Sequence, residues 1–143
     1  VREIASYFNA DMVICDKHRK RANEIASMVV IGDVTDRDII LIDDICDTGG
    51  TLAKSAQLMK EKGARSVRAF CTHPVLSGKA YENIANSVLE ELVVCDTIPV
   101  KQGLTDKIHV VTTAELFAIA IRNALENKSI NSLFLRSRIQ NKK

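Results

Sequence analysis

Residues 39–51 constrain the chain most. Ile39-Ile40-Leu41-Ile42 is a short apolar run, rich in β-branched residues, that suits a strand buried on both faces of a parallel sheet. Asp43 and Asp44 follow where such a strand ends, which is the edge where open α/β sheets place their ligands. Asp47-Thr48-Gly49-Gly50-Thr51 is then a turn of small and hydroxyl residues. Beyond it, Leu52, Ala53, Ala56 and Met59 recur at helical spacing.

That order of parts has a chemical reading. Glycines let the backbone come close to a ligand and expose its N–H groups. A helix N-terminus adds unpaired donors and a partial positive charge. Thr48 and Thr51 add hydroxyls. Together they form a cradle for a phosphate. Asp43 and Asp44 would repel a phosphate, so they suit sugar hydroxyls, or a divalent metal reached through water. Phosphate at one end and a diol at the other describe a phosphorylated ribose. The plain alternative is a strand-to-helix connection with an N-cap. Turns of this composition are common, but a buried strand ending in two adjacent acids just before one is much rarer.

In chain order, Val1–Asn9 reads as an amphipathic helix and Met12–Cys15 as a short strand. Asp16-Lys17-His18-Arg19-Lys20-Arg21 holds five potentially cationic side chains in a row, and 22–27 is small and polar. Met28–Ile31 is strand-like, and a turn lies within 32–38. After the central strand and cradle, a helix ends near Gly63, which takes a helix C-cap position. Ser66–Cys71 is a strand, Thr72-His73-Pro74-Val75-Leu76-Ser77-Gly78 a loop, and Lys79–Asn86 a helix. Leu92–Cys95 is a strand, Asp96-Thr97-Ile98-Pro99 a turn, and Ile108–Val111 a last strand. Thr112-Thr113-Ala114-Glu115 has the form of a capping box opening a helix to about Asn127. Alternating strands and helices predict an α/β fold, a mostly parallel sheet with helices on both faces.

The chain has 143 residues, enough for one domain to bury a core without disulfides. A net charge of +2 gives no case for a nucleic-acid or acidic partner, and no apolar run reaches the ~20 residues that span a bilayer. Cys15, Cys46, Cys71 and Cys95 sit in or beside apolar runs with no Cys-x-x-Cys pair, which reads as buried free thiols in a reducing compartment, not a disulfide frame or zinc site. The basic cluster at 17–21 is open to several readings. It is a solvated loop, a nucleic-acid patch, or a segment that closes over a polyphosphate and neutralises charge during phosphoryl transfer. Aromatic content of 4%, with none near the cluster, disfavours the nucleic-acid reading. The pattern ranks the other two equally.

Residues 41–51 resemble the ribose-5-phosphate loop of the type I phosphoribosyltransferase fold. Residues 12–99 resemble the C-terminal half of ribose-phosphate diphosphokinases, that is, phosphoribosyl diphosphate (PRPP) synthetases. Four blocks carry that resemblance: Asp16-Lys17-His18-Arg19, Asp43 to Thr51, Thr72 to Gly78, and Asp96-Thr97-Ile98-Pro99. It implies transfer of the diphosphoryl group of ATP to the 1-hydroxyl of ribose 5-phosphate, with Mg2+ as cofactor. Lys17 and Arg19 then match the catalytic pair that stabilises the transferring group. Asp43 and Asp44 match the ribose-diol acids. Asp47, Thr48, Gly49, Gly50 and Thr51 match the 5-phosphate loop. His18, between the pair, is dispensable. His73 is read as a structural loop histidine away from the substrate blocks, and His109 as a strand residue without a role.

The resemblance further implies a cytoplasmic enzyme acting on ribose 5-phosphate and ATP, without nucleic acid or membrane, and a homo-oligomer (a hexamer in the family). Residues 1–143 are expected to be a single phosphoribosyltransferase-like domain. The start at Val1, without Met and inside a helical pattern, leads to the expectation of a C-terminal half of a longer two-domain chain. Metal ligands are expected in the other half and none in this one, so the chain alone should fold without catalysing the reaction. Ser129–Phe134 resembles the family's tail near a regulatory phosphate site, with Asn131 in place of a Ser. Two alternatives remain. One is another phosphoribosyltransferase using PRPP, which would need a base-specific hood and a pyrophosphate loop. The other is a non-catalytic PRPP-synthetase-associated regulatory protein, against which the intact Lys17, Arg19 and cradle argue.

Overall fold

A computed structural model describes residues 1–21, 24–101 and 103–134; for 16–21 and 24–27 it describes the backbone. The chain forms two compact units, 13–111 and the pair of segments 1–12 and 112–143.

The larger unit is built on the apolar strands anticipated above. β1 (Ile14–Arg21) and β2 (Glu24–Ile31) form an antiparallel two-stranded ribbon. β3 (Asp38–Cys46), β4 (Ser66–Pro74), β5 (Leu92–Cys95) and β6 (Ile108–Val111) form a parallel sheet in the order β3-β4-β5-β6. α2 (Gly50–Glu61) joins β3 to β4, and α3 (Ala80–Ala85) lies between β4 and β5. This is the α/β class with a parallel sheet flanked by helices. Parallel pairing requires crossovers, and the helical spacing after Gly50 supplies the first of them.

The β3–β4 register runs from Asp38 opposite Ser66 to Cys46 opposite Pro74. Its start is pinned by polar groups. Asp38 accepts hydrogen bonds from Arg65 Nε at 3.0 Å and Ser66 Oγ at 2.6 Å. The Arg65 and Ser66 bonds hold the Asp38 carboxyl well below the usual carboxylate range. The turn chemistry fits as well. Gly63, at φ +92, follows the C-cap Lys62 of α2, and the next amide, of Ala64, donates to Met59 O at 3.0 Å.

One face of the sheet carries the core. Val67, Ala69, Leu92 and Val94 pack with Leu52, Ala56 and Met59 of α2 and Ala80 and Ile84 of α3. Ile39 and Leu41 join them from β3. Ile40 and Phe70 point to the other face. Within this unit the described helices cover the first face only. The ribbon is tied to the core at its base. Val13, Cys15 and Val30 belong to the cluster, Cys15 Sγ donates to Ser55 Oγ at 3.7 Å, and Ser55 Oγ donates to Met28 Sδ at 3.7 Å.

The smaller unit contains α1 (Arg2–Phe8), α4 (Ala114–Leu125) and a 3₁₀ turn at Asn131–Leu133. The capping box at the start of α4 does not form. Thr113 is the N-cap without a side-chain cap bond, and Thr112 Oγ1 instead accepts from Ala114 N at 3.2 Å. Thr112 sits one residue too early to reach the helix's third amide, so it makes a local turn.

Two segments read as irregular are strand. The basic stretch 16–21 continues β1, because residues 24–31 fold back to pair with it. β4 runs on through Thr72 and His73 to Pro74, because β3 pairs with it to that point. All four cysteines are free thiols; Cys46 and Cys71 are buried as expected, whereas Cys15 and Cys95 are only half-buried. Among the described residues, no helix is long and apolar enough to cross a membrane.

Leu92 is fully buried at the centre of the core. Leu92→Ala is expected to destabilise the chain by roughly 2–5 kcal/mol, read as a shift in the urea unfolding midpoint.

Candidate functional site

The carboxyl ends of β3, β4 and β5 lie side by side, and the polar residues of the sequence motifs collect there. β3 delivers Asp43 and Asp44 in its last turn of residues. Asp43 Oδ1 accepts from Asp44 N at 3.0 Å, and Asp44 Oδ1 from Ile45 N at 2.9 Å. The Asp43 carboxyl titrates above the ordinary range. Burial raises it most, the Asp44 carboxyl adds to this, and the Asp44 amide partly opposes it.

The turn that follows is shaped by Gly49. Its φ is +71, a conformation that favours glycine. A Cβ there would meet Ile84 Cδ1 at 3.2 Å and Ala80 O at 3.3 Å. Gly49 is the N-cap of α2, with no side-chain cap bond, and its carbonyl accepts from Ala53 N at 2.9 Å. The first turn of a twelve-residue helix therefore starts beside Thr48. A Cβ at Gly50 would find Thr48 Oγ1 at 3.7 Å. The glycines thus have separate jobs: Gly49 makes the turn, and Gly50 keeps the mouth of the cradle open.

Asp47 is tied to a later segment. Its carboxylate accepts a hydrogen bond from Ser77 Oγ. Ser77 belongs to the segment read as a loop, which comes against the cradle because β4 runs parallel to β3. His73 is drawn in the same way. It is opposite Ile45, so it stands next to the cradle strand and not away from the substrate blocks. Thr97 Oγ1 donates to Thr72 O at 3.0 Å, so the 3.0 Å contact between His73 Nδ1 and Thr97 Oγ1 has Nδ1–H as donor. The pairing of two strands distant in sequence is what brings these residues in, and no local pattern carries it.

Two thiols lie beneath the cradle. Burial, with the charges of Cys71 and Asp43, pushes Cys46 up to about 11. Burial also raises Cys71, whose Sγ donates to Asp44 O at 3.4 Å. Both stay protonated and unreactive at neutral pH. Lys17 and Arg19 fall in β1, opposite Met28 and Ile25. Their side chains lie outside the described residues. So do Leu135–Lys143, while Ser129–Phe134 is described.

Comparison with known proteins places the chain in a family. The model of the phosphoribosyl synthetase-associated domain matches residues 10–135. The chain belongs to that family. It is similar to the ribose-phosphate pyrophosphokinase of Campylobacter jejuni, 54% identical over 134 residues, or 94% of this chain and 43% of the relative. The Wolinella succinogenes enzyme of the same name is 50% identical over the same shares. Among solved structures, phosphoribosylpyrophosphate synthetase from Mycobacterium smegmatis matches with a TM-score of 0.69 and 37% identity, covering 78% of this chain and 36% of that one. The chain therefore spans less than half the length of the curated relatives it matches. The family match covers the cradle, the basic stretch and the β4 loop together.

The raised Asp43 has a calculable sign. An acid whose folded pKa exceeds its unfolded value, about 3.9, penalises the ionised native state. The penalty is absent below the unfolded value and complete above the folded one. Asp43→Asn is therefore expected to raise the urea midpoint at pH 7, and the gain should vanish at low pH. Carboxyl NMR should find Asp43 titrating lower in Asp44→Asn than in the wild-type chain.

Proposed function

We propose that the chain supplies the ribose 5-phosphate site and catalytic basic pair of a ribose-phosphate diphosphokinase, as the C-terminal half of a longer, two-domain protein. The reaction moves the diphosphoryl group of ATP to the 1-hydroxyl of ribose 5-phosphate and yields PRPP for nucleotide synthesis. The observation that carries this is the junction of β3 and α2. Two adjoining carboxyl groups stand near the end of a parallel strand, and a Gly49-led helix start follows within a few residues.

In this reading, Asp43 and Asp44 accept hydrogen bonds from the ribose diol. Thr48, Gly49, Gly50 and Thr51 hold the 5-phosphate through amides, hydroxyls and the positive end of α2. Asp47 anchors the loop through Ser77. Lys17 and Arg19 stabilise the negative charge on the diphosphoryl group in flight.

The acids also fit Mg2+. Adjoining carboxylates are hard oxygen donors that suit a hydrated ion. In this reading the ion's protein ligands belong to the other half of the longer protein, and Asp43 and Asp44 reach it through water. When bound, Mg2+ neutralises charge on the polyphosphate. Homo-oligomer formation and a cytoplasmic setting belong to the same proposal.

Titration of the chain with ribose 5-phosphate, followed by amide NMR, tests the site. Saturable shifts centred on residues 43–51 are expected, and their loss in Asp43→Ala and Thr51→Ala. Wild-type shifts spread over the surface, or none at millimolar ligand, would count against the sugar-phosphate assignment. In the full-length protein, Lys17→Ala is expected to lower kcat roughly a hundredfold or more while leaving the ribose 5-phosphate KM near its wild-type value.

A further inference from the structure

The cradle residues do not by themselves determine which way their peptide groups face. Three consecutive carbonyls are held from behind by one later segment. Leu76 N donates to Cys46 O at 3.0 Å, and Ser77 N to Asp47 O at 3.1 Å. Asn83 Nδ2, on α3, donates to Thr48 O at 2.8 Å. In a trans peptide, the carbonyl of one residue and the N–H of the next point in opposite directions. The amides of Asp47, Thr48 and Gly49 are therefore turned to the side away from residues 76–83, that of Gly49 also facing the Cys46 sulfur. Ser77 Oγ also holds the Asp47 carboxylate, which keeps its negative charge on the carbonyl side.

We propose that Ser77 and Asn83 are positioning residues for anion binding. They turn the cradle's carbonyls and the Asp47 carboxylate to one side, so that its amides serve the phosphate of a phosphorylated sugar on the other. This rests on the sugar-phosphate reading above. Asn83 acts through the Thr48 carbonyl and Ser77 through Asp47, and neither needs to touch the ligand. Asn83 must present its nitrogen, because a carbonyl only accepts.

The test compares dissociation constants for ribose 5-phosphate and inorganic phosphate in the wild-type chain, Asn83→Asp, Ser77→Ala and the control Asn86→Ala. Measurements are made well below each unfolding midpoint. Asn83→Asp keeps the shape and loses the donor. Both site variants are expected to bind roughly tenfold more weakly and to move the Thr48 and Gly49 amide resonances without ligand, with Asn86→Ala doing neither. Adding Asp47→Asn to Ser77→Ala should recover affinity, because the released carboxylate is then uncharged. A purely structural role would lower the unfolding midpoint and leave affinity unchanged, and that result in folded Asn83→Asp and Ser77→Ala overturns the inference. If Asn83→Asp fails to fold, Ser77→Ala with and without Asp47→Asn decides. Absence of binding by the wild-type chain sinks the sugar-phosphate reading, and this inference with it.

Discussion

Parallel pairing of β3 with β4 is the constraint on which the rest depends. It begins at Asp38, gripped by Arg65 and Ser66, and runs without slippage to Cys46 and Pro74. A shift of one residue would move Ile39 and Leu41 out of the core and bring Ile40 into it. It would also carry His73 and Ser77 past their cradle partners. The polar clamp at the opening edge of the sheet thus sets the geometry of the opposite edge, where the cradle lies.

The site holds two opposed electrostatic choices a few residues apart. Asp43 and Asp44 are placed where burial and mutual repulsion hold the Asp43 proton more tightly than usual. The turn after them gathers amides and a helix start that favour negative charge. A fold selected for stability alone would not put acids there. Their presence near the end of a strand that packs one face on the core is a local conflict of the kind found at functional sites.

Much of this was legible in the sequence, because it is local. The apolar run 39–42, the acids after it and the glycine turn lie within one strand and one helix start. Their spacing alone predicts a strand, an edge and a cradle. The strands at 66–71, 92–95 and 108–111 were readable for the same reason. What escaped depends on partners distant in the chain. The basic stretch is strand because 24–31 folds back on it, and His73 reaches the site only through its register with Ile45. The capping box failed on an offset of one residue, which a motif of four letters cannot resolve.

The backing of the cradle bears on how such sites are recognised and how they diverge. Asn83 contacts the Thr48 carbonyl from 35 positions away, and Ser77 holds Asp47 from 30. Each segment is incomplete without the other, so mutation in one changes which replacements the other tolerates. A five-letter signature drawn on the glycine turn alone would accept chains whose loop has nothing behind it. The heritable unit is the pair of segments, and a signature written across both would separate a working cradle from a look-alike turn.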